Sequence, residues 1–142
     1  MTIRLKIKRL HKDITMPVFA HPDDGCFDLY AAGEITIRPG ERISIPTGFK
    51  MEIPAGYVGF VWDKSSLSHK NGLKTLGGVI DAGFRGEVKI GMINLSDKPY
   101  IFKKNDKVAQ MAIQKREDIV IEEVEELAES LRGERGFGST GK

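Results

Sequence analysis

The feature that most constrains the fold of this chain is a series of short segments in which apolar and polar residues alternate. In residues 3–9, isoleucine and leucine alternate with arginine and lysine. A period of two residues is the side-chain period of a strand that buries one face. We therefore expect the basic residues of this segment on a solvated strand face rather than in a binding patch. The sequence predicts further strands over residues 35–38, 42–45, 49–53, 57–62, 74–80, 87–95, 107–114 and 118–124.

Turn-forming residues separate these segments. Residues 39–40, 46–48 and 54–56 each begin with proline and end with glycine, and these two residue types favour turns. Glycine is frequent, at 16 of 142 residues, which is about 11% against a usual ~7%. Many short strands joined by turns are typical of an all-β sandwich, jelly roll or small barrel. Only residues 65–70 predict a helical turn, and residues 125–131 stay open between helix and coil.

Length and composition exclude several classes of protein. The chain has 142 residues, the size of one domain, and its formal net charge of +2 lacks the basic excess of a nonspecific nucleic-acid-binding protein. No apolar run approaches the length of a membrane span, and the N-terminal segment lacks the apolar core of a secretory signal. A single cysteine, Cys26, excludes an intrachain disulfide. It predicts a reducing compartment, the cytoplasm.

Four segments carry polar residues where a β core tolerates few. Asp28 lies in an apolar stretch, where it either caps a turn or holds a metal-bound water. Residues 63–66 combine a lysine with two serines, which favours either a helix N-cap or an anion site. Asp81 follows two apolar residues in a predicted glycine-rich hairpin, where its carboxylate either closes its own turn or aims a water. Gln110 falls in a predicted strand and, considered alone, is an outward-facing polar residue.

The C-terminal part of the chain has two unusual compositions. Residues 117–129 hold seven carboxylates and no basic residue, which predicts a solvated acidic surface rather than a metal site. Residues 133–142 are rich in glycine and are therefore either a frayed tail or a flap that orders on a ligand. Guanidinium, ring and hydroxyl groups lie in or beside this segment and suit an anion and an aromatic base: Arg132, Arg135, Phe137, Ser139 and Thr140.

Taken together and in order, these segments resemble a known family. DLYAA, KSS, GVIDAGFRGE, DKVAQ and RGERGFGSTG, spread over residues 24–141, resemble the five motifs of the trimeric dUTP diphosphatases, or dUTPases. The resemblance implies a distorted β jelly roll, residues 1–131, and a flexible C-terminal arm, residues 132–142, that closes over an active site. It also implies a homotrimer in which subunits share active sites.

The resemblance further implies the reaction and the residues that carry it. The family hydrolyses dUTP to dUMP and pyrophosphate with the assistance of Mg²⁺, and Asp81 matches the aspartate that activates the attacking water for in-line attack on the α-phosphorus. Asp28 matches the aspartate that contacts the metal through its water shell. Ser65 and Gln110 match contacts to the phosphate chain, and Arg132 matches the contact to the terminal phosphate. The implied substrate-binding residues are Lys64, Ser65, Ser66, Gly78, Phe84, Lys89, Gln110, Arg132, Phe137, Ser139 and Thr140.

Some of these residues have specific implied roles. Main-chain groups at Gly78 and Lys89 would read uracil, Phe137 would stack on it, and Ser139 and Thr140 would contact phosphate. The chain also departs from the family pattern. Lys64 replaces an arginine, which keeps the charge but loses the bidentate geometry. Phe84 replaces the tyrosine beside the deoxyribose and loses its hydroxyl. Gly83 replaces a frequent aspartate of the hairpin turn, and Arg135 replaces a frequent glycine of the arm.

Two alternatives follow from the same residues. Residues 81–86 also fit the Asp-x-Gly-Phe-x-Gly turn of the related dCTP deaminases. Those enzymes carry a catalytic glutamate ten residues after the aspartate, where this chain has Gly91, which has no acid–base chemistry. The second alternative is a non-catalytic nucleotide-binding relative. Asp81 argues against it, since binding alone does not need a water-activating carboxylate.

Overall fold

The computed structural model describes residues 1–141, which form ten strands and one short helix. In chain order these are β1 (Lys6–Arg9), β2 (Phe27–Tyr30), β3 (Ile35–Ile37), β4 (Arg42–Glu52), β5 (Tyr57–Trp62), α1 (Ser65–Asn71), β6 (Leu73–Leu76), β7 (Val79–Asp81), β8 (Glu87–Asn94), β9 (Tyr100–Phe102) and β10 (Lys107–Lys115). The predicted helical turn and most predicted strands are confirmed. Strands β2 and β9 were not predicted, although β3, which is equally short, was.

The strands form two antiparallel four-stranded sheets and one antiparallel pair. The first sheet has the order β1-β4-β8-β6, the second has the order β2-β10-β5-β7, and β3 pairs with β9. One apolar core contains inward-facing residues of both sheets, as alternation along the strands requires. The largest fully buried side chains are Phe49, Phe102, Leu29, Ile37, Ile45, Ile53, Leu73, Ile90, Met92, Met111, Val88 and Val108. This jelly-roll-like arrangement confirms the predicted all-β fold class.

The N-terminal strand agrees with its predicted amphipathic pattern. Lys6 and Lys8 of β1 are exposed, whereas Ile7 is half-buried and packs against the core. β1 lies at the edge of the first sheet and pairs with β4 alone among the described strands. Among residues 1–141, no helix has the length and apolar character needed to cross a bilayer.

The predicted turn at residues 46–48 is wrong, because β4 runs without a break from Arg42 to Glu52. The register with β8 shifts between Pro46 and Lys50, so these residues form an irregularity within one strand. Thr47 Oγ1 donates to the Val88 carbonyl at 2.6 Å, and the Gly48 amide donates to Glu87 Oε1 at 3.0 Å. These two bonds join β4 to β8 where the regular backbone ladder is interrupted. A turn signal in the local sequence does not reveal them, because their acceptors lie in another strand.

The predicted strand over residues 74–80 is two strands in different sheets. β6 pairs with β8 in the first sheet, and β7 pairs with β5 in the second. The chain crosses between the sheets at Gly77 and Gly78, both of which have positive φ. The sequence predicted a hairpin over residues 77–87, in which β7 would pair with the following strand. That prediction is wrong, because β7 pairs with β5.

The predicted strand over residues 118–124 is also wrong. β10 ends at Lys115, and residues 116–141 contain no strand or helix. The segment alternates, but no described strand lies beside it to complete a ladder, and a strand needs a partner. Its apolar side chains are exposed: Ile119, Val120, Ile121, Val124, Leu127 and Leu131.

Candidate functional site

Asp28 is the centre of a charged cluster that also contains Lys64 and Lys107, called here the Asp28 cluster. It lies in β2 opposite Gln110 of β10, and its side chain is 3% exposed. The Lys64 ammonium lies 2.6 Å from its Oδ1, and the Lys107 ammonium lies 2.9 Å from its Oδ2. The proposed turn for Asp28 is wrong, since the residue belongs to a strand and its carboxylate pairs with lysines.

The two lysines keep the buried carboxylate charged. Burial raises the pKa of Asp28, but the hydrogen bond from Lys64 and the ion pair with Lys107 outweigh this effect, and the pKa lies below its ordinary value. The Lys107 contact is an ion pair without hydrogen-bond geometry, so Oδ2 is buried with no hydrogen-bond partner. The same contact with Asp28 raises the pKa of Lys107. Sequence reasoning missed Lys107 as a site residue. Its position within the DKVAQ segment was the available signal.

Residues 63 and 64, which precede α1, are held by hydrogen bonds to other strands rather than by a helix cap. Lys64 occupies the N-cap position without a side-chain capping bond, so neither Ser65 nor Ser66 caps the helix, and both are exposed. Asp63 accepts hydrogen bonds from the Thr75 amide at 2.7 Å and from Lys74 Nζ at 2.5 Å.

Gln110 joins the same cluster from β10. Its Nε2 donates to the Asp63 carbonyl at 2.8 Å, and its side chain is only half-exposed rather than fully outward. The structure therefore brings four of the predicted site residues to one place: Asp28, Lys64, Ser65 and Gln110. Lysine, hydroxyl and amide donors together suit an anion such as a phosphate chain.

Asp81 lies elsewhere, at the end of β7, where the loop of residues 82–86 leads to β8 in the first sheet. It is the last residue of β7 and is exposed, and its carbonyl accepts the Phe84 amide at 3.1 Å. Among residues 1–141, no group donates a hydrogen bond to its carboxylate, so the side chain does not close its own turn. The Phe84 ring is 42% exposed on the same loop.

Gly78 and Lys89 flank a gap where two strands separate. The β6–β8 ladder ends at the pair Leu76 and Gly91, and each of the two predicted residues lies two positions beyond it. Gly78 has a φ of 109°, and its carbonyl accepts the Val61 amide at 2.8 Å. A Cβ at this position would lie 2.9 Å from the Val61 carbonyl oxygen, so the close approach to β5 requires glycine.

Within one chain, Asp81 and the Asp28 cluster are far apart. Both adjoin β5, where Asp81 pairs with Val58 and Gln110 pairs with Trp62. The four residue steps between these positions span about 13 Å at ~3.3 Å per residue. A water that bridges a carboxylate and a reacting atom needs hydrogen-bond distances of ~3 Å on each side. One chain therefore does not bring Asp81 together with the phosphate-type donors.

Among the described arm residues, 132–141, none forms a hydrogen bond with Asp81 or with the Asp28 cluster. The Arg132 guanidinium donates to the carbonyls of Arg135 and Gly136, and Arg135 donates to the carbonyls of Leu131 and Arg132. Phe137 is fully exposed, Thr140 is exposed and Ser139 is half-buried. Lys142, the last residue of the predicted arm, lies outside the described residues.

The donor set does not fit a resident metal ion. Residues 1–141 contain no group of three or more His, Cys, Asp or Glu side chains that could hold one. Asp28 has lysine ammonium groups against both carboxylate oxygens, and two positive charges there disfavour a divalent cation. The role of Asp28 toward Mg²⁺ stays a prediction.

Comparisons with known proteins identify relatives along the whole chain. A sequence model of the dUTPase family matches residues 12–141. The deoxyuridine 5'-triphosphate nucleotidohydrolase of Clostridium kluyveri is 43% identical over 141 residues, which cover 98% of this chain and 99% of the relative. The protein of the same name from Thermobifida fusca is 40% identical over 143 residues, which cover 99% of this chain and 80% of the relative.

Solved structures give the same result. A variant of the dUTPase of Staphylococcus bacteriophage 80alpha with dUpNHpp has a TM-score of 0.92 at 30% identity, and the match covers 99% of this chain and 100% of that chain. A variant of the dUTPase from phage phi11 of S. aureus, in which a structural Mg(II) ion is coordinated, has a TM-score of 0.81 at 27% identity. That match covers 87% of this chain and 98% of that chain.

Proposed function

Because this chain belongs to the dUTPase family and is a dUTP nucleotidohydrolase, we propose that it forms dUMP and pyrophosphate by in-line attack of water on the α-phosphorus. Asp81 is the proposed general base. Its carboxylate is exposed and accepts no hydrogen bond from residues 1–141, which supports this role. A carboxylate is a weak base, so most of the rate enhancement must come from positioning and charge neutralisation.

The Asp28 cluster is the proposed phosphate site. Ser65, Ser66 and Gln110 donate to the phosphate oxygens, and Lys64 adds positive charge. We propose that the substrate is the magnesium complex of dUTP, with the ion carried by the phosphates. When bound, this ion neutralises phosphate charge. Since the chain's residues do not fit a resident metal, we assign none of them as a direct ligand.

The gap between β6 and β8 is the proposed uracil site. β8 has no β6 partner beyond Gly91, so main-chain groups near Gly78 and Lys89 are available to pair with the base. A narrow site of this kind rejects thymine by contact with its methyl group and cytosine by mismatched donors and acceptors. The Phe84 ring, which is exposed, would pack against the deoxyribose.

The C-terminal arm is the proposed lid, with residues 1–131 as the domain that it closes upon. Arg132 would contact the terminal phosphate, Phe137 would stack on uracil, and Ser139 and Thr140 would contact phosphate. In this structure Arg132 bonds carbonyls of its own arm, so closure exchanges these bonds for charge-assisted bonds to phosphate.

A homotrimer with shared active sites is the proposed assembly. The distance between Asp81 and the Asp28 cluster supports it, because a neighbouring subunit can supply the part that one chain holds too far away. The exposed apolar side chains of residues 119–131 also support it, since burial against a neighbour would remove them from water. We propose the cytoplasm as the compartment, in keeping with the free thiol of Cys26.

The observation that carries this proposal is the full-length match to dUTP nucleotidohydrolases together with the open carboxylate of Asp81. Pyrophosphate release should be measured with dUTP, dCTP, dTTP and UTP in the presence of Mg²⁺. We expect release from dUTP at a rate far above that from the other three nucleotides. Ammonia release from dCTP would instead favour the deaminase alternative, and nucleotide binding without turnover would favour a non-catalytic relative.

A further inference from the structure

The Asp28 cluster holds one more cation than the carboxylate can neutralise. Lys64 comes from the segment before α1, and Lys107 comes from the start of β10. Both ammonium groups lie within 2.9 Å of the Asp28 carboxylate. One negative and two positive charges leave a net positive charge beside the proposed phosphate site.

Both lysines keep donors and solvent access for a second anion. An ammonium group has three N–H donors. Lys64 uses one of them in its hydrogen bond to Asp28 Oδ1, whereas Lys107 is held to Oδ2 by an ion pair alone. The Lys64 side chain is 24% exposed and the Lys107 side chain is 49% exposed, whereas that of Asp28 is 3% exposed. The buried carboxylate thus contacts two lysine side chains that both retain access to solvent.

Removing the carboxylate would affect both lysines. A buried charge needs its partners, so Asp28 restricts the positions of the two ammonium groups. Long lysine side chains otherwise lose considerable rotamer freedom when they bind a ligand. Lysines that are already restricted lose less of this freedom, and they bind a polyanion more tightly.

We propose that Asp28 is a positioning residue that holds Lys64 and Lys107 as a pair of phosphate-binding groups, and that Lys107 is a further substrate-binding residue. This inference rests on the proposed function, because the ligand is the triphosphate of dUTP. It differs from a role of Asp28 through the water shell of Mg²⁺. In the present inference Asp28 strengthens nucleotide binding whether or not the ion is present.

The test is equilibrium binding of the non-hydrolysable analogue dUpNHpp, with Mg²⁺ and separately with EDTA. We expect Lys107→Met to weaken binding about 10-fold in both conditions, and Lys107→Arg to restore most of the loss. Asp28→Asn should weaken binding with EDTA as well as with Mg²⁺. The double variant should lose less than the product of the two single losses, because both changes disturb the same lysine.

The matched control is Lys103→Met, which removes an exposed lysine from the turn before β10 and should leave binding unchanged. Thermal unfolding of every variant identifies any loss that is due to misfolding, and Lys107→Met then provides the decisive binding data. An Asp28→Asn loss confined to the Mg²⁺ condition, or unchanged binding by folded Lys107→Met, would overturn the inference. The proposed function fails separately, if the wild-type protein releases no pyrophosphate from dUTP.

Discussion

Asp81 and Asp28 are both acidic residues of β-strands, but their surroundings differ. Asp28 is buried and pairs with two lysines, whereas Asp81 is exposed at a strand end. A carboxylate held by cations is suited to positioning, whereas an open one is available to accept a proton from water. The roles that we propose for the two aspartates therefore follow from their different partners.

Asp81→Asn tests the proposed general base. The amide keeps the size of the side chain but does not accept the proton, so turnover should fall at least ~100-fold while dUpNHpp binding largely persists. Steady-state kinetics and equilibrium binding check the two parts. Asp97→Asn, an exposed aspartate between β8 and β9, is the control and should retain full turnover. Unchanged turnover in Asp81→Asn would remove the assigned role.

Asp63 gives a prediction about pH and stability. Burial raises the pKa of Asp63, but hydrogen bonds from Lys74 and Thr75 outweigh it, and the pKa lies below its ordinary value. A lowered folded-state pKa stabilises the protein above the unfolded value of about 3.9, and this stabilisation is lost as pH falls through the folded value.

Asp63→Asn should therefore reduce the free energy of unfolding at pH 7 by about 1 kcal/mol. The difference from wild type should begin to shrink below about pH 3.9, where the carboxylate of the unfolded chain becomes protonated, and should shrink further as the pH falls through the lower folded-state pKa. Urea unfolding at pH 7 and at pH 3, at one protein concentration, measures both values. An equal difference at both pH values would contradict the assignment of the effect to the charge of Asp63.

Among the elements, β4 shows how a strand continues through a turn-like sequence. Gly48 is buried with a φ of +75°, and an added Cβ would lie 2.6 Å from Ile14 Cγ1. The position thus needs glycine for two separate reasons, backbone conformation and space. Gly40 has the same φ but has open space around it.

The pair of variants Gly48→Ala and Gly40→Ala separates these reasons. Gly40→Ala should lower the free energy of unfolding by about 1 kcal/mol through backbone strain alone. Gly48→Ala should lower it by about 2–4 kcal/mol, because overpacking against Ile14 adds to the same strain. Denaturant unfolding compares the two variants. Equal losses would show that Ile14 moves aside freely.

The arm is the element with the fewest ties to the rest of the chain. Its arginines bond carbonyls of the arm and of the adjoining Leu131, and residues 116–141 form no strand with the domain. Truncation before Arg132 should therefore leave the melting temperature and the oligomeric state unchanged but reduce turnover of dUTP at least ~10-fold. Calorimetry, sedimentation and kinetics measure these three quantities. Dissociation of the oligomer on truncation would count against a purely catalytic arm.

At the scale of the whole molecule, the important distance is the one between Asp81 and the Asp28 cluster. The two groups adjoin opposite ends of β5, and no bend within a six-residue strand can join them. In the assembly that we propose, a complete site combines groups from different subunits. This combination gives a test that needs no structure of the oligomer.

Subunit mixing provides that test. Asp81→Asn and Gln110→Ala should each be nearly inactive alone, because each damages a different half of the site. The two variants are unfolded, mixed in equal amounts and refolded together. Random assembly should then give about a quarter of the sites both an intact Asp81 and an intact Gln110, because each residue comes from a subunit that is intact at that position about half of the time. Mixing either variant with itself is the control. No recovery after verified mixed assembly would place both halves within one chain.

The sequence by itself determined the positions of most strands, because alternation and turn residues are local properties of the chain. The motif order from residue 24 to residue 141 also identified the family, which the comparisons confirm. The same local signals gave wrong results for residues 46–48, 74–80 and 118–124. In each case the outcome depends on a partner strand that is distant in the sequence.

Only the tertiary structure decided which strands pair and which side chains meet. Hydrogen bonds that β4 donates to β8 hold the strand together at Gly48, and β7 pairs with β5 rather than with β6. Residues 118–124 find no partner strand among residues 1–141. The contact of Lys107 with Asp28 joins residues 79 positions apart, a separation that no local pattern encodes. Contacts of this kind form only when folding brings distant residues together. The sequence therefore identified the charged residues of the site, but it did not identify their partners.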